Sequence, residues 1–338
     1  VLDDPGCLRA LCAAVAGADR LVLLGDLVEL RDRPLREALA GARPALEAIA
    51  AARPGDGELV VLAGNHDHRL IAPWLERRSR ERPIGSAATV EVGATDPLAQ
   101  VTAALGGAAV SYPGVALRDD VWATHGHYTD RHTTVPILER VSAGVIARIA
   151  REAAAGPATT EDHEAVLAPL YAWIDALVEH GRDDGSERDL EGSERAWLML
   201  SGSGGRDPRR RALRAAFPIA IAALNRARIG PLRAELGRTA LRRGPLVAMG
   251  EVQRRLGVGA AHIVFGHTHR AGPLPGDEPG EWTTPHGAPP ARLLNTGCWV
   301  RETSFLGADP AHSPYRAGFA AWIDSDPARP PQLVNLLD

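Results

Sequence analysis

The chain has too little of several things to belong to several common classes. Cysteine occurs only at Cys7, Cys12 and Cys298, too few and too scattered for a disulfide framework, so a reducing compartment is expected. No stretch reaches 18 apolar residues and no signal peptide opens the sequence. A cytoplasmic protein, at most peripheral to a membrane, is the expectation. Phe and Tyr are scarce, with four of each, so the core must be built mainly from Ala, Val, Leu and Ile. A net charge of −4 argues against general nucleic-acid binding, while leaving room for a local basic patch. What is present suffices for a globular protein: 338 residues, 45% of them apolar, can bury about three quarters of the unfolded surface.

Against that background one pattern recurs four times. Arg20–Leu24 is an apolar run of strand length that ends in Gly25–Asp26. Leu59–Ala63 runs into Gly64–Asn65–His66–Asp67, Val121–Thr124 into His125–Gly126–His127, and Ala261–Phe265 into Gly266–His267–Thr268–His269. Each run reads as a buried strand that delivers polar groups to the carboxyl edge of a sheet, where open α/β sheets place their ligands. Singly, Asp26 or Asn65 could serve a turn and His125 or His267 could be structural. Together, carboxylate, amide and imidazole groups at four strand ends are what a divalent-metal site needs, and the adjoining glycines allow close backbone approach.

In this order the motifs resemble those of the calcineurin-like metallophosphoesterases: Gly25–Asp26, Gly64–Asn65–His66–Asp67, His125–Gly126 and Gly266–His267–Thr268–His269. The resemblance implies an α/β fold, a layered β-sandwich flanked by helices. It also implies two divalent ions, Mn, Fe, Zn or Co. Asp26 would bridge them, Asn65, His125 and His267 would complete one, and His269 would belong to the other. His66 would contact the phosphate and protonate the leaving oxygen, and Asp67 would hold the His66 imidazole in the useful tautomer. His127, His68 and Arg69 are candidate substrate contacts. Asn295 and Gly297 match the Asn-x-Gly that shapes the loop beside the site in the family.

One motif departs. The family's first Asp-x-His has no counterpart before Gly25, since Asp3–Asp4 lacks both the histidine and a preceding strand. The expectation is that this strand lies upstream of Val1, and that residues 1–338 hold one ion strongly and a second weakly.

The rest of the chain organises around these ends. Residues 1–129 and 256–338 read as the phosphoesterase-like domain, and residues 130–255 as a mainly helical insertion or cap. Leu35, Leu39, Leu46 and Ile49 predict a helix or helix pair. Leu138, Val141, Val145 and Ile149 predict the apolar stripe of another helix, and Val166 through Val178 that of a third. Gly181–Glu194 reads as an acidic loop. Residues 130–205 carry fourteen acids and seven arginines, whereas residues 206–243 carry two acids and eleven arginines. Pro218 is expected to break or kink any helix through the basic segment. That segment could face a small phosphorylated ligand or an anionic membrane surface. Ala317–Ile323 is the last predicted strand. The function implied is metal-dependent hydrolysis of a phosphodiester or phosphomonoester. A noncatalytic metal-binding scaffold is the alternative, and a nuclease a weaker one.

Overall fold

Alternation of side chains along the strands sets the layers. In β2 (Glu58–Leu62), Val60 and Leu62 join Val115, Val121, Ala123, Val264 and Leu294 in one apolar cluster. Their neighbours Leu59 and Val61 join a larger cluster that includes the helices. The computed structural model describes residues 2–134, 138–149, 156–180, 208–234, 238–284, 290–300, 303–307 and 309–338.

The fold is α/β with mixed sheets. In the first sheet, β1 (Arg20–Leu23), β2 and β4 (Ala109–Tyr112) run parallel and β3 (Ala88–Val90) pairs antiparallel with β4, in the order β1-β2-β4-β3. In the second, β6 (Val121–Thr124), β7 (His262–Phe265) and β9 (Arg292–Thr296) run parallel. They are flanked by the antiparallel β5 (Gly114–Arg118) and β8 (Ala271–Gly272), giving the order β5-β6-β7-β9-β8. The two sheets meet across the smaller apolar cluster, so the strands expected to line one sheet edge come from two facing sheets. A hairpin of β10 (Phe319–Trp322) and β11 (Gln332–Asn335) completes the described strands, and β11 was not anticipated.

Among the described residues β1 pairs only with β2. Its apolar residues are therefore half-buried, whereas those of β2 are buried. The β1 residues line a cavity of about 3220 Å³, together with Leu11, Ala42, Ala45, Ala321 and Ile323.

The helices close the outer faces. α1 (Pro5–Val15) starts at Asp4, whose carboxylate accepts from the backbone N–H groups of Gly6 and Cys7. α2 (Leu35–Ala52) is one helix despite Pro44, because that proline sits on its exposed side. α3 (Ala72–Glu81) and α4 (Asp96–Ala104) follow, then α5 (Thr129–His132), α6 (Leu138–Ile149) and α7 (Thr160–His180). Helices Pro208–Arg226 and Arg238–Arg255 lead back to β7. Val166, Leu167, Leu170, Leu246 and Met249 from this region belong to the same core as β2 and β4.

Two helix expectations are corrected. On α6 the stripe through Val145 and Ile149 is exposed, and the helix instead buries Arg140, Ala143 and Ala147. Small residues let this helix approach its neighbour closely, and Gly144 comes so near Ile229 that an added Cβ would lie 2.2 Å from its carbonyl oxygen. Pro218 does not break helix Pro208–Arg226. The proline ring itself is exposed. The acidic loop Gly181–Glu194 and the side chains of Arg206–Arg211 lie outside the described residues. Among those described, no helix is long and apolar enough to cross a membrane.

Candidate metal centre

The four strand ends converge, and the backbone is strained where they do. Among the described residues four non-glycine residues have positive φ, and three of them are Asp26 (52°), His267 (64°) and His269 (60°). Such conformations cost about 1–3 kcal/mol each and persist where packing enforces them. Two glycines make the approach feasible. A Cβ on Gly25 would lie 2.5 Å from the His125 ring, and one on Gly64 would lie 2.1 Å from Asp26 Oδ1. Gly64→Ala should therefore displace Asp26, lowering stability by about 3 kcal/mol and removing bound metal, as thermal unfolding and metal analysis would record.

One ligand atom each from Asp26, His125 and His267 lies within 4.8 Å of the others. The hydrogen bonds on the far sides of both rings fix which nitrogens face inward. His125 Nδ1 donates to the Leu24 carbonyl at 2.8 Å, which leaves Nε2 pointing at Asp26 Oδ2 (3.2 Å) and Asn65 Oδ1 (3.0 Å). His267 Nε2 donates to Asp130 Oδ1 at 2.8 Å, which leaves Nδ1 3.1 Å from the same Asn65 oxygen. Two imidazole lone pairs, a carboxylate oxygen and an amide oxygen thus share one small space. A positive ion at their centre satisfies all four in this arrangement of the Asn65 amide.

A divalent ion meets that need. Adjacent ligands held about 2.1 Å from one octahedral ion lie about 3.0 Å apart, close to the separations found here. A donor set of nitrogen and oxygen without thiolate fits Mn, Fe, Co or Zn. The metal-free alternative is equally well defined. With the Asn65 amide turned over, its NH2 donates to both imidazoles and its oxygen accepts from Arg31 at 3.0 and 3.1 Å.

Electrostatics follow the same geometry. Burial acts to raise the Asp26 pKa, but the His125 and His66 imidazoles and their hydrogen bonds hold it well below the usual carboxylate range. Burial acts to lower His125, and the charge of Asp26 overrides it to raise the imidazole above its ordinary value.

The flanking residues divide into those at the centre and those wired elsewhere. His66 lines the cavity beside Asp26, and its backbone N–H donates to Asp26 Oδ1 at 2.9 Å. Its Nδ1 bonds to Glu29 Oε2 at 2.7 Å, so Glu29, not Asp67, orients the ring. Burial would lower the His66 pKa, but the charges of Asp26 and Glu29 outweigh it and hold it at about 9. Asp67 turns inward to accept from the backbone N–H groups of Gly64 (2.6 Å) and Leu27 (2.7 Å), tying the ends of β1 and β2 together. Burial and the charge of Asp26 raise its pKa to about 6.

His127 and His68, expected at the substrate, are buried in a separate network. His127 Nε2 donates to the Tyr112 hydroxyl at 2.9 Å, and the Tyr112 and Tyr128 hydroxyls donate to Glu164. His68 Nε2 meets the other Glu164 oxygen at 2.8 Å. Burial and the neighbouring imidazoles push His127 well below its ordinary pKa. A buried Glu164 on α7 must be paired: His68 pairs it directly, the two tyrosine hydroxyls complete its hydrogen bonds, and His127 reaches it only through Tyr112. Arg69 bonds to Glu179 on α7 at 2.7 Å and does not line the cavity. His269 does line it. Asn295 behaves as expected, donating to the Gly266 carbonyl and Thr268 hydroxyl and accepting from Gly297 N–H.

Sequence reasoning missed Glu29, Arg31, Asp130 and Glu164. Asp130, three residues beyond His127, follows the strand end by one turn of α5, so its proximity to the His-Gly motif was the available signal. Asp130→Asn should weaken metal binding about 10–100-fold while the fold persists, as measured by competition with a chelating dye. Comparison with family models, curated proteins and solved structures finds no match for the chain.

Proposed function

We propose that this protein is a metal-dependent phosphoesterase of the calcineurin-like kind, with the facing sheets as the family's layered sandwich and residues 130–255 as its helical cap. The supporting observation is the convergence of Asp26, His125 and His267 with the Asn65 amide between the two rings, both imidazole tautomers being fixed from outside. A divalent ion bound there would lower the pKa of water and polarise a phosphoryl oxygen.

The chain's own residues would do the rest. Asp26 and Asn65 supply oxygens, His125 and His267 supply nitrogens, and Leu24 and Asp130 hold those rings in place. His66 has Nδ1 engaged by Glu29, which helps it keep a proton and leaves Nε2 for the leaving oxygen. Asp26 and His269 offer two protein ligands to a second, weaker position on the same cavity wall. The substrate would be a small phosphorylated molecule, with a phosphodiester or a phosphomonoester bond cleaved. An anionic membrane surface remains a candidate contact for the basic part of the cap.

The metal-binding scaffold without turnover is favoured by one fact: a single cluster of potential ligands occurs among the described residues. Hydrolysis of p-nitrophenyl phosphate and its bis-aryl diester separates the two readings. Turnover with added Mn, Co or Zn, and none with chelator, is expected. A protein that binds the ion yet cleaves neither ester is a scaffold.

A further inference from the structure

We infer that Arg31 is the anion anchor of this centre, the residue that receives a phosphoryl group of the substrate beside Asn65. The inference rests on the phosphoesterase reading and specifies a contact that the motifs do not assign. Arg31 follows β1 and is 8% exposed, yet it lines the cavity that holds Asp26, His66 and His267. Among the described residues no carboxylate forms an ion pair with its side chain. Its Nε is buried without a partner. Its guanidinium carbon stands 5.1 Å from the ring centroid of Tyr171, whose own hydroxyl is also unpartnered. The carboxylates of Asp32 and Asp175 act on this charge from beyond ion-pair distance and the cation–π contact offsets only part of the cost of burying it, so an anion in direct contact would complete the site.

Asn65 ties this anion site to the metal. When the Asn65 oxygen serves the cluster with His125 and His267, its NH2 faces the two terminal nitrogens of Arg31, and donors oppose donors at 3.0 and 3.1 Å. Turned over, the amide gives its oxygen to Arg31 and withdraws it from the centre. Metal and Arg31 therefore compete for one oxygen. Metal binding leaves the guanidinium in need of another acceptor at the cavity wall, and a tetrahedral oxyanion supplies several. A planar fork of donors suits such an oxyanion better than a lysine would.

Titration of the metal-loaded protein with inorganic phosphate, followed by calorimetry, tests this. Metal content is measured first. Wild-type protein should bind phosphate with metal and at least about 10-fold more weakly without it. Arg31→Gln should retain the metal, weaken phosphate about 10–100-fold and raise KM more than it lowers kcat. Arg31→Lys should fall between the two, which guards against a folding defect in the glutamine variant. Unchanged phosphate affinity in metal-loaded Arg31→Gln would overturn the assignment and leave the phosphoesterase reading standing. Loss of metal from both variants would also overturn it, making Arg31 a support for Asn65. A wild-type protein that takes up no metal would instead remove the phosphoesterase reading, and this inference with it.

Discussion

Asp26→Asn should leave the purified protein folded, strip it of tightly bound divalent metal and lower metal-dependent aryl phosphate hydrolysis by about 10³-fold or more. The expected size follows from what the carboxylate does. Asp26 is the only carboxylate in the compact cluster, where His125 and His267 contribute imidazole nitrogens. It also holds an imposed φ of 52° and accepts the His66 backbone N–H. The amide keeps the shape and some hydrogen bonding but brings no charge. Circular dichroism and metal analysis of the variant would separate this from unfolding. Normal activity with normal metal content would make Asp26 dispensable.

His66→Asn should behave differently. Its side chain lies beside the cluster, with Glu29 on one nitrogen, so metal content should stay near that of the wild type while turnover falls about 10²–10⁴-fold. The loss should be smaller for an ester with a good leaving group such as p-nitrophenolate, which needs little protonation, than for an alkyl ester. Loss of metal in this variant would place His66 among the ligands and undo the division of labour. Glu29→Gln should share the selectivity for poor leaving groups in milder form, because it removes the charge that helps hold the His66 pKa at about 9.

The ligand-bearing strand ends were legible in the sequence because each couples a hydrophobic run to an adjacent polar turn, and both parts are local. Asp26, Asn65, His125 and His267 come together as that pattern implied. A layered sandwich was implied by the resemblance, but which strand falls in which sheet was not legible, since strand pairing depends on long-range contacts that a run such as Leu59–Ala63 does not encode. The same limit explains the misassigned neighbours. His66, Asp67 and His68 are consecutive, yet one faces the cavity, one satisfies backbone N–H groups and one pairs with Glu164, 96 residues away. Spacing places a residue near a site without saying which way it turns. Arg31 sits in a segment with no motif and Asp130 just past one, and their contacts with Asn65 and His267 reveal their places. On α6 the apolar stripe misled because small residues and Arg140, not the large aliphatic ones, form the buried face.

The central claim is that one divalent ion belongs among Asp26, Asn65, His125 and His267. Metal analysis of the 338-residue chain after loading with Mn or Zn and exhaustive dialysis tests it most directly, run beside His267→Ala. The account predicts close to one equivalent retained by the wild type, a second ion removed by dialysis, and near zero in the folded variant. No retained metal in the wild type, or an unchanged equivalent in His267→Ala, would contradict it.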